Sequence, residues 1–268
     1  MCGRYVLVQK IEIIEKRFNV IAPNYFEWQP NYNIGPGTFA PVITSENPKE
    51  LQLFQFGMTP FWAKKPMYLF NARAEGDKNK ENDVDFHGSN DIILKPAFRK
   101  PIRSQRCLVI ADAFIEGTTK DGLSNPYLVY LINKKRPFAF AGIYDTWLNP
   151  ESGEELNSFS IITTKANSLM QKIPHHRTPI ILHQPSESKW LNPNTALTDV
   201  TRMLKSIDAD LMNAYPILNR IKNPKENDKS LLVPKGEPLV VESQLRSSNS
   251  LHLQGMGNRK KPQEYSRE

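Results

Sequence analysis

The chain has 268 residues, of which 39% are hydrophobic and 24% are charged, and this ordinary composition excludes a fibrous repeat and a wholly disordered chain. Its 21 prolines against 13 glycines favour many short elements with rigid turns over a bundle of long helices. The 35 Lys and Arg residues exceed the 28 Asp and Glu residues by +7, a surplus that permits nucleic-acid binding without requiring it.

The predicted elements of the N-terminal half begin with a strand over residues 3–8, which is rich in bulky β-prone side chains. Helical spacing follows over residues 10–18, where apolar side chains recur on one face. Residues 51–56 form the next clear strand pattern. The polar stretch from residue 76 to residue 90 predicts a long exposed loop.

The C-terminal half contains several apolar runs of strand length, many of them separated by turn residues. These predicted strands cover residues 107–111, 127–132, 138–143, 159–163 and 180–182. Residues 133–137 are typical of a hairpin connection between two of them. Helices are predicted over residues 167–172 and 195–206, with Asn194 available as the N-cap of the second.

Strands that do not alternate regularly with helices argue against a parallel doubly wound sheet. We therefore predict an α+β, strand-rich single domain over residues 1–242, with a curled or barrel-like mixed sheet and a few short flanking helices. Residues 243–268 have little apolar content and many Ser, Asn, Lys and Arg residues. This composition predicts a mobile basic tail.

The cellular compartment is indicated by three features. No apolar run approaches the length of about 18 residues that a membrane helix needs. The first residues lack the apolar region of a signal peptide. The two cysteines, Cys2 and Cys107, are too few for a disulfide framework. We expect an intracellular, cytoplasmic protein.

Cys2 is the most informative residue for function. If the initiator Met is removed, Cys2 carries a free α-amine beside its thiol, and such an amine titrates near neutral pH. A 1,2-aminothiol condenses with an aldehyde to an imine, and the thiol then closes a five-membered thiazolidine ring. An N-terminal nucleophile can also attack acyl groups. The alternative is that Cys2 is an inert residue buried in the first strand.

Two carboxylates, Asp112 and Glu116, end the apolar stretch that begins at Arg106. A glutamate at the end of a buried strand is a candidate general acid or base, because burial raises the pKa of a carboxyl group. The alternative for Glu116 is an exposed strand-end residue. Cys107 lies within the stretch and is predicted to be an inert core residue.

Adjacent histidines, His175 and His176, precede Arg177. Because neighbouring side chains of an extended segment point in opposite directions, we expect only one histidine to face a site and His176 to point away from His175. The cysteines and histidines lack the spacing of zinc-ligand pairs. We therefore predict no metal, and no other cofactor.

A basic cluster surrounds Phe98 and allows two interpretations. It can be a face that follows DNA phosphates, or it can be a solvated charged loop. Its members are Lys95, Arg99, Lys100, Arg103 and Arg106.

Several motifs occur in one order along residues 2–220. Met1 to Tyr5 places Cys directly after the initiator Met, and Asn71 to Glu75 spells Asn-Ala-Arg-Ala-Glu in full. Four further segments are Asn31–Pro36, Phe56–Ala63, Arg106–Glu116 and His175–Leu182, together with the Ile-x-Thr-Thr pattern in Phe159–Thr164. Through these motifs the chain resembles the SRAP family, the SOS-response-associated peptidases, also described as abasic-site processing proteins.

The chain departs from the family pattern at four positions. Gly117 stands where the family has Trp after the catalytic Glu, and Ile115 stands where it has Tyr before it. Thr178 replaces a Met, and Phe56 replaces a Trp. These changes concern aromatic contacts to DNA and the wall of the pocket, whereas the polar residues of the family motifs are all present.

The resemblance implies covalent capture of abasic sites in single-stranded DNA, as a thiazolidine crosslink that shields the lesion in the DNA damage response. It implies that Cys2 is the nucleophile, that Asn71 orients the sugar or the α-amine, that Glu116 is the acid/base, and that His175 transfers a proton to the sugar oxygen. The implied DNA contacts are Arg4, Arg73 and Arg177 to phosphates and Trp62 beside a base.

Three functional hypotheses follow from the sequence. The first is the crosslinking enzyme, which we expect to act as a monomer on single-stranded DNA with abasic sites and to be nucleoid-associated when bound. The second is a cysteine-nucleophile peptidase, and self-removal of Met1 would unite it with the first. The third is a noncatalytic nucleic-acid-binding module that uses the same basic residues.

Overall fold

The computed structural model describes residues 3–132 and 136–241. The strands are β1 Arg4–Leu7, β2 Asn31–Ile34, β3 Phe39–Thr44, β4 Gln52–Phe56, β5 Asn71–Arg73, β6 Arg106–Ala111, β7 Ala113–Thr118, β8 Gly122–Leu131, β9 Phe138–Leu148, β10 Glu155–Lys165, β11 Arg177–Pro179 and β12 Met212–Pro216. The α-helices are α1 Ile11–Phe18, α2 Pro101–Ser104, α3 Ser168–Lys172, α4 Gln184–Leu191 and α5 Leu197–Arg202. Short 3₁₀ helices cover Asp91–Leu94, Ala209–Leu211, Asn219–Lys222 and Lys229–Leu232.

Five strands close into a barrel in the order β10-β4-β3-β6-β9, because β9 also pairs with β10. The β10–β4 pairing is parallel and the others are antiparallel, so the barrel is mixed. Beyond the barrel, the end of β10 pairs with β5 on one edge and with β11 on the other. The predicted α+β fold with a barrel-like mixed sheet is confirmed.

The second sheet is antiparallel, in the order β12-β8-β7-β1-β2. Only Asp112 separates β6 of the barrel from β7 of this sheet. Its carboxylate accepts hydrogen bonds from the backbone N–H groups of Val8 (2.7 Å) and Gln9 (3.1 Å). The crossover therefore fixes the end of β1 beside the start of β7, which positions the site described below.

Aromatic side chains fill the barrel. Phe56 stacks on Phe159 with ring centroids 5.2 Å apart, and Tyr5 meets the edges of Phe56 and Phe140. All four are fully buried. Burying each large apolar ring contributes about 1.5–3 kcal/mol to stability. The departure at Phe56 thus lies in the core and not on a DNA-binding surface.

Most predicted elements are confirmed, including the strands near residues 3–8, 51–56, 107–111, 138–143 and 159–163, and the exposed loop over 76–90. Asn167 caps α3 by accepting a hydrogen bond from the N–H of Met170 (3.0 Å). Cys107 is buried in mid-strand as predicted, and burial raises the pKa of its thiol.

Three predictions are wrong. The strand expected near residues 180–182 has other bounds: it runs over Arg177–Pro179 along β10, and residues 180–182 add a single antiparallel bridge between Ile181 and Phe140 of β9. The connection over 133–137 is not a hairpin, since β8 and β9 belong to different sheets; its residues 133–135 are outside the described part. Helix α5 begins at Leu197, preceded by Ala196, so Asn194 does not cap it.

The basic tail over residues 243–268 lies outside the described residues, and its prediction stays untested. Within the described part of the chain, every helix is too short or too polar to cross a membrane.

Candidate active site and nucleic-acid surface

A cavity of about 180 Å³ opens where β1, β7 and the segment before β11 meet. Its lining includes Gly3, Arg4, Glu116, His175 and His176. Cys2, the nucleophile expected from the sequence, lies outside the described residues, but its neighbour Gly3 lines this cavity. The structure therefore brings together three residues predicted from the sequence, Arg4, Glu116 and His175, around the cavity at which β1 begins.

Glu116 and His175 form a buried pair, with 2% and 5% of their surfaces exposed. Oε2 of Glu116 lies 3.4 Å from Nε2 of His175. Nδ1 of His175 is 2.7 Å from the carbonyl oxygen of Gly117. Because a carbonyl only accepts, Nδ1 carries a proton. In the neutral ring Nε2 is then an acceptor, and the proton between the two groups lies on the carboxyl of Glu116. The alternative of an exposed strand-end Glu116 is wrong.

Burial lowers the pKa of His175 to about 3. Removal of the ring from water disfavours the imidazolium, the positive charge of Arg177 acts in the same direction, and the hydrogen bond to Gly117 opposes these effects without overcoming them. At neutral pH the ring is neutral, which agrees with the single proton assigned to Nδ1.

Gly117 has no space for a side chain. The β7–β8 register shifts after this residue, and a Cβ atom on it would lie 1.8 Å from the carbonyl oxygen of Gly122. The hairpin backbone thus occupies the place where the family pattern has a Trp side chain. Gly117 in turn brings its own carbonyl within reach of His175.

His176 does not point away from His175, so that expectation is wrong. The two rings stack, with centroids 4.9 Å apart and planes 22° from parallel. The alternation of side chains along a strand does not apply here, because both histidines precede β11 and the chain bends at His176. Nδ1 of His176 lies 2.8 Å from Oγ1 of Thr119.

Arg177 is buried to 1% exposure, and Glu75 is its counterion. Its Nη2 donates to Oε2 of Glu75 and to the carbonyl of Thr163, both at 2.8 Å. Burial by itself raises the pKa of Glu75, but the charge and hydrogen bonds of Arg177 outweigh burial and hold it below its ordinary value. Nη1 of Arg177 is buried and has no hydrogen-bond partner among the described residues.

Asn71 and Arg73 lie on β5, opposite Ile161 and Thr163 of β10. Nδ2 of Asn71 donates to the carbonyl of Phe70 (3.0 Å). Arg73 donates to the carbonyl of Asn79 (3.0 Å). Because β11 pairs along the opposite edge of β10, Arg73 and Arg177 flank the same strand.

Arg4 lies in β1 opposite Ile115 of β7, and it also lines the cavity. A Cβ atom on Gly35 would lie 1.6 Å from Nη1 of Arg4, so the guanidinium rests directly on the backbone of that glycine. Burial lowers the pKa of Arg4. The cation therefore lines the same cavity as the Glu116–His175 pair.

Residues 59–68, here called the aromatic loop, join β4 to β5 and contain Trp62. Their exposed large side chains are Phe61, Trp62, Met67 and Tyr68. Backbone hydrogen bonds in both directions between Met58 and Leu69 close the base of the loop (3.0 and 2.9 Å). Trp62 is 48% exposed.

Buried side chains of β9 and β10 hold the backbone of the aromatic loop. Ser158 accepts from the N–H of Thr59, and Asp145 accepts from the N–H of Phe61, both at 2.9 Å. Trp147 donates its indole N–H to the carbonyl of Ala63 (2.6 Å). The first half of the loop backbone is therefore held by the barrel, whereas the large side chains of the loop stay exposed.

The basic cluster divides into two parts. The ammonium of Lys100 lies 4.7 Å from the ring centroid of Phe61, which joins the cluster to the aromatic loop. Arg106 is fully buried and donates to backbone carbonyls of Ile102 (3.1 Å) and Trp190 (2.6 Å). Arg106 is therefore structural and is not part of a phosphate-binding face.

Residues 1–224 match the model of a family described as SOS response associated peptidase (SRAP). The chain belongs to the SRAP family. Its Asn-Ala-Arg-Ala-Glu motif forms β5 and the turn after it, and its His-containing motif leads into β11, so β10 holds both motifs together.

Relatives of known name cover most of the chain. The abasic site processing protein YoqW of Bacillus subtilis is 35% identical over 239 residues, which is 87% of this chain and 99% of the relative. The abasic site processing protein HMCES of Gallus gallus is 27% identical, covering 84% and 72%. A crystal structure of a protein from Bacteroides thetaiotaomicron superposes with a TM-score of 0.72 at 31% identity, covering 88% of this chain and all of that one.

Sequence reasoning missed three residues of this SRAP site. Glu75 belongs to the Asn-Ala-Arg-Ala-Glu motif, but its role as the counterion of Arg177 depends on β10, which brings the two distant segments together. Thr119 and Asp145 have no sequence signal, because each acts on a segment distant in the chain.

Proposed function

We propose that this chain captures abasic sites in single-stranded DNA as a covalent thiazolidine crosslink through Cys2, and that the crosslink shields the lesion during the DNA damage response. The proposal rests on one arrangement: Gly3, which is bonded to Cys2, lines the same cavity as the Glu116–His175 pair. The names of the relatives, abasic site processing proteins, point to the same lesion. Removal of Met1, by an aminopeptidase or by the chain itself, comes first because only then does Cys2 have a free α-amine.

The reaction joins an aldehyde to a 1,2-aminothiol with the loss of one water. The closed abasic sugar opens to an aldehyde at C1′ and a hydroxyl at C4′. The α-amine of Cys2 adds to C1′, and the resulting carbinolamine loses its hydroxyl as water to give an imine. The thiol then adds to the imine carbon while its proton moves to nitrogen. These steps need one group that accepts a proton and one that gives it back.

Glu116 and His175 fill these two roles in our proposal. The acceptor Nε2 of His175 faces the carboxyl of Glu116, so a proton can rest on either group between steps. His175 takes its proton from Glu116 through Nε2 and passes it to the sugar oxygen during ring opening. Asn71 orients the sugar or the α-amine.

The DNA strand is held by arginines and by the aromatic loop. Arg4 and Arg73 contact the phosphates that flank the lesion, whereas Arg177, expected from the sequence to do the same, is buried and paired with Glu75 and supports the site from within. Trp62 stacks on or wedges beside a neighbouring base. The protein acts as a monomer, without metal or cofactor, and associates with the nucleoid when bound to DNA.

Mass spectrometry on protein confirmed to begin at Cys2 tests the proposal. With an abasic oligonucleotide we expect an adduct equal to the two masses minus one water. Cys2→Ser keeps the amine and loses the thiol, so we expect only an imine that borohydride traps. Protein that retains Met1 is the matched control and should not react.

Three outcomes would contradict the proposal. A Cys2→Ser adduct that is stable without reductant would exclude the thiazolidine, and a normal crosslinking rate with Met1 intact would exclude the free amine. Cleavage of peptides without an adduct would favour the peptidase, and DNA binding with neither reaction would favour the noncatalytic module.

A further inference from the structure

His176 lies in the cavity but has no role in the chemistry proposed above. Its ring stacks on that of His175 and lines the same space, and it is only half buried. A half-buried ring that shares a cavity with a buried acid/base pair is more accessible to a bound ligand than that pair is.

The hydrogen bonds of Thr119 assign the proton on this ring. The hydroxyl of Thr119 has one proton, and Oγ1 lies 3.0 Å from the carbonyl oxygen of Pro174, which can only accept. The hydroxyl therefore donates to Pro174 and accepts from Nδ1 of His176 at 2.8 Å. With its single proton on Nδ1, the neutral ring presents Nε2 as an acceptor.

Two observations keep that acceptor available. Nε2 of His176 forms no hydrogen bond within residues 3–132 and 136–241. Burial lowers the pKa of His176 to about 4, and the positive charges of Arg177 and Arg73 act in the same direction. The ring is therefore neutral at neutral pH and does not compete with the arginines for phosphate.

We propose that Nε2 of His176 accepts a hydrogen bond from a hydroxyl group of the bound abasic sugar, and so selects a hydroxyl-bearing sugar over an abasic analogue without one. The donor is the C1′ hydroxyl of the closed sugar or the C4′ hydroxyl after ring opening. This inference rests on the proposed function, because it takes the abasic sugar as the occupant of the cavity. It makes His176 a specificity residue.

Two unreactive oligonucleotides test this role without crosslinking. One carries a borohydride-reduced abasic site, which has hydroxyls at C1′ and C4′, and the other carries a tetrahydrofuran site, which has neither. A single hydrogen bond predicts that the unsubstituted protein binds the reduced site about 3- to 10-fold more tightly. The measurement is the dissociation constant for each oligonucleotide by fluorescence anisotropy.

Three substitutions of His176 separate its parts. In His176→Gln the side-chain amide reaches the position of Nε2, so an acceptor can remain there. In His176→Asn the shorter amide reaches only the position of Nδ1. His176→Phe keeps an aromatic ring but has no acceptor. We expect the preference to persist in the Gln variant and to disappear in the Asn and Phe variants. Thr119→Val, at an exposed position, should weaken the preference by releasing the ring from one tautomer. His87→Asn, on the exposed loop, is the matched control.

The outcomes distinguish this inference from the proposed function. If the unsubstituted protein shows no preference, or if His176→Asn and His176→Phe both keep it, the role of His176 is wrong. Because neither oligonucleotide has an aldehyde, a protein that shows the preference but never crosslinks a true abasic site would overturn the crosslinking function alone.

Discussion

The cavity and the aromatic loop are fixed in opposite ways. In the cavity, backbone carbonyls hold side chains: Gly117 fixes the ring of His175, and Pro174 fixes that of His176 through Thr119. In the loop, buried side chains of the barrel hold the backbone, while the aromatic side chains stay exposed.

This difference follows from what each region has to do. A proton-transfer group works only with a defined ring orientation and a defined proton, so its side chain must be bound on both sides. A stacking surface needs an open aromatic face, so only its backbone can be held without covering the ring. Damage to the cavity should therefore change rates and stability, and damage to the loop should change affinity.

The largest expected effect lies at the buried ion pair of Glu75 and Arg177, the residue that directly follows His176 in the chain. Glu75→Gln keeps acceptors for Thr164 and Lys165 but leaves the Arg177 charge without a counterion. Removing one partner of a buried pair costs about 3–5 kcal/mol, which we expect as a loss of unfolding free energy in urea.

Two further variants check that interpretation. Glu75→Gln combined with Arg177→Gln should recover part of the loss, because no unpaired charge remains. Asp199→Asn removes the carboxylate of an exposed ion pair with Arg202 and should leave stability unchanged. Equal losses in the single and double variants would show that the pair does not act through charge.

The acid/base pair gives the next largest effect, on the rate of crosslinking. Glu116→Gln and His175→Ala should each slow single-turnover crosslinking by about 10²-fold or more, the usual scale for a positioned acid or base. DNA affinity should change little, because neither side chain is positively charged at neutral pH and so neither attracts the DNA phosphates. Full-rate crosslinking in both variants would place the proton transfers elsewhere.

The sequence predicted what depends on local pattern. Strand-length apolar runs marked the barrel strands, and the motifs around Glu116 and His175 marked both members of the buried pair. The short strand β5 was missed and β11 was placed three residues too late, since three residues carry no measurable periodicity and these strands form only because β10 supplies their partners.

The stacked histidines show why the rest could not be predicted. Alternation along a strand would separate His175 from His176, but a bend before β11 places both rings on one side. The same limit applies to Gly117, whose missing side chain is explained by the carbonyl of Gly122 across the hairpin. Both features depend on contacts between segments that local sequence does not encode.

Trp62 tests the loop side of the comparison. Trp62→Ala should weaken binding of single-stranded DNA by about 5- to 100-fold, since stacking on one base contributes about 1–3 kcal/mol. The crosslinking rate at saturating DNA should be unchanged and the urea stability should change little, because about half of the Trp62 side chain is exposed. A rate defect at saturation would mean that Trp62 also shapes the cavity.

The neutral state of His175 predicts a pH dependence of stability. Its pKa is about 3 in the folded chain, against about 6.5 for an exposed histidine, so the unfolded chain binds more protons between these values. Stability due to this group is present above pH 6.5 and is lost as the pH falls. Acidification from pH 7 to 5 should cost the unsubstituted protein about 1–2 kcal/mol more than His175→Gln. Equal pH profiles in urea unfolding would show that the ring is not held neutral.

The smallest effect should come from loosening the aromatic loop without touching its rings. In Asp145→Asn, one carboxylate oxygen becomes an NH₂ group, although Phe61 N–H and Gln105 Nε2 each donate to a different oxygen of Asp145. The backbone N–H groups of Phe61 and Thr146 cannot turn and donate to different oxygens, so one of them must face the NH₂ group; the Phe61 anchor is lost when that group takes the place of Oδ2. A less ordered loop loses more conformational entropy when it binds DNA. We therefore expect DNA affinity to fall about 2- to 5-fold, with the crosslinking rate at saturating DNA unchanged. Asp199→Asn controls for the lost negative charge, which alone would raise affinity slightly. If Asp145→Asn binds as tightly as that control, the open aromatic faces suffice for binding, and the backbone anchors have another purpose.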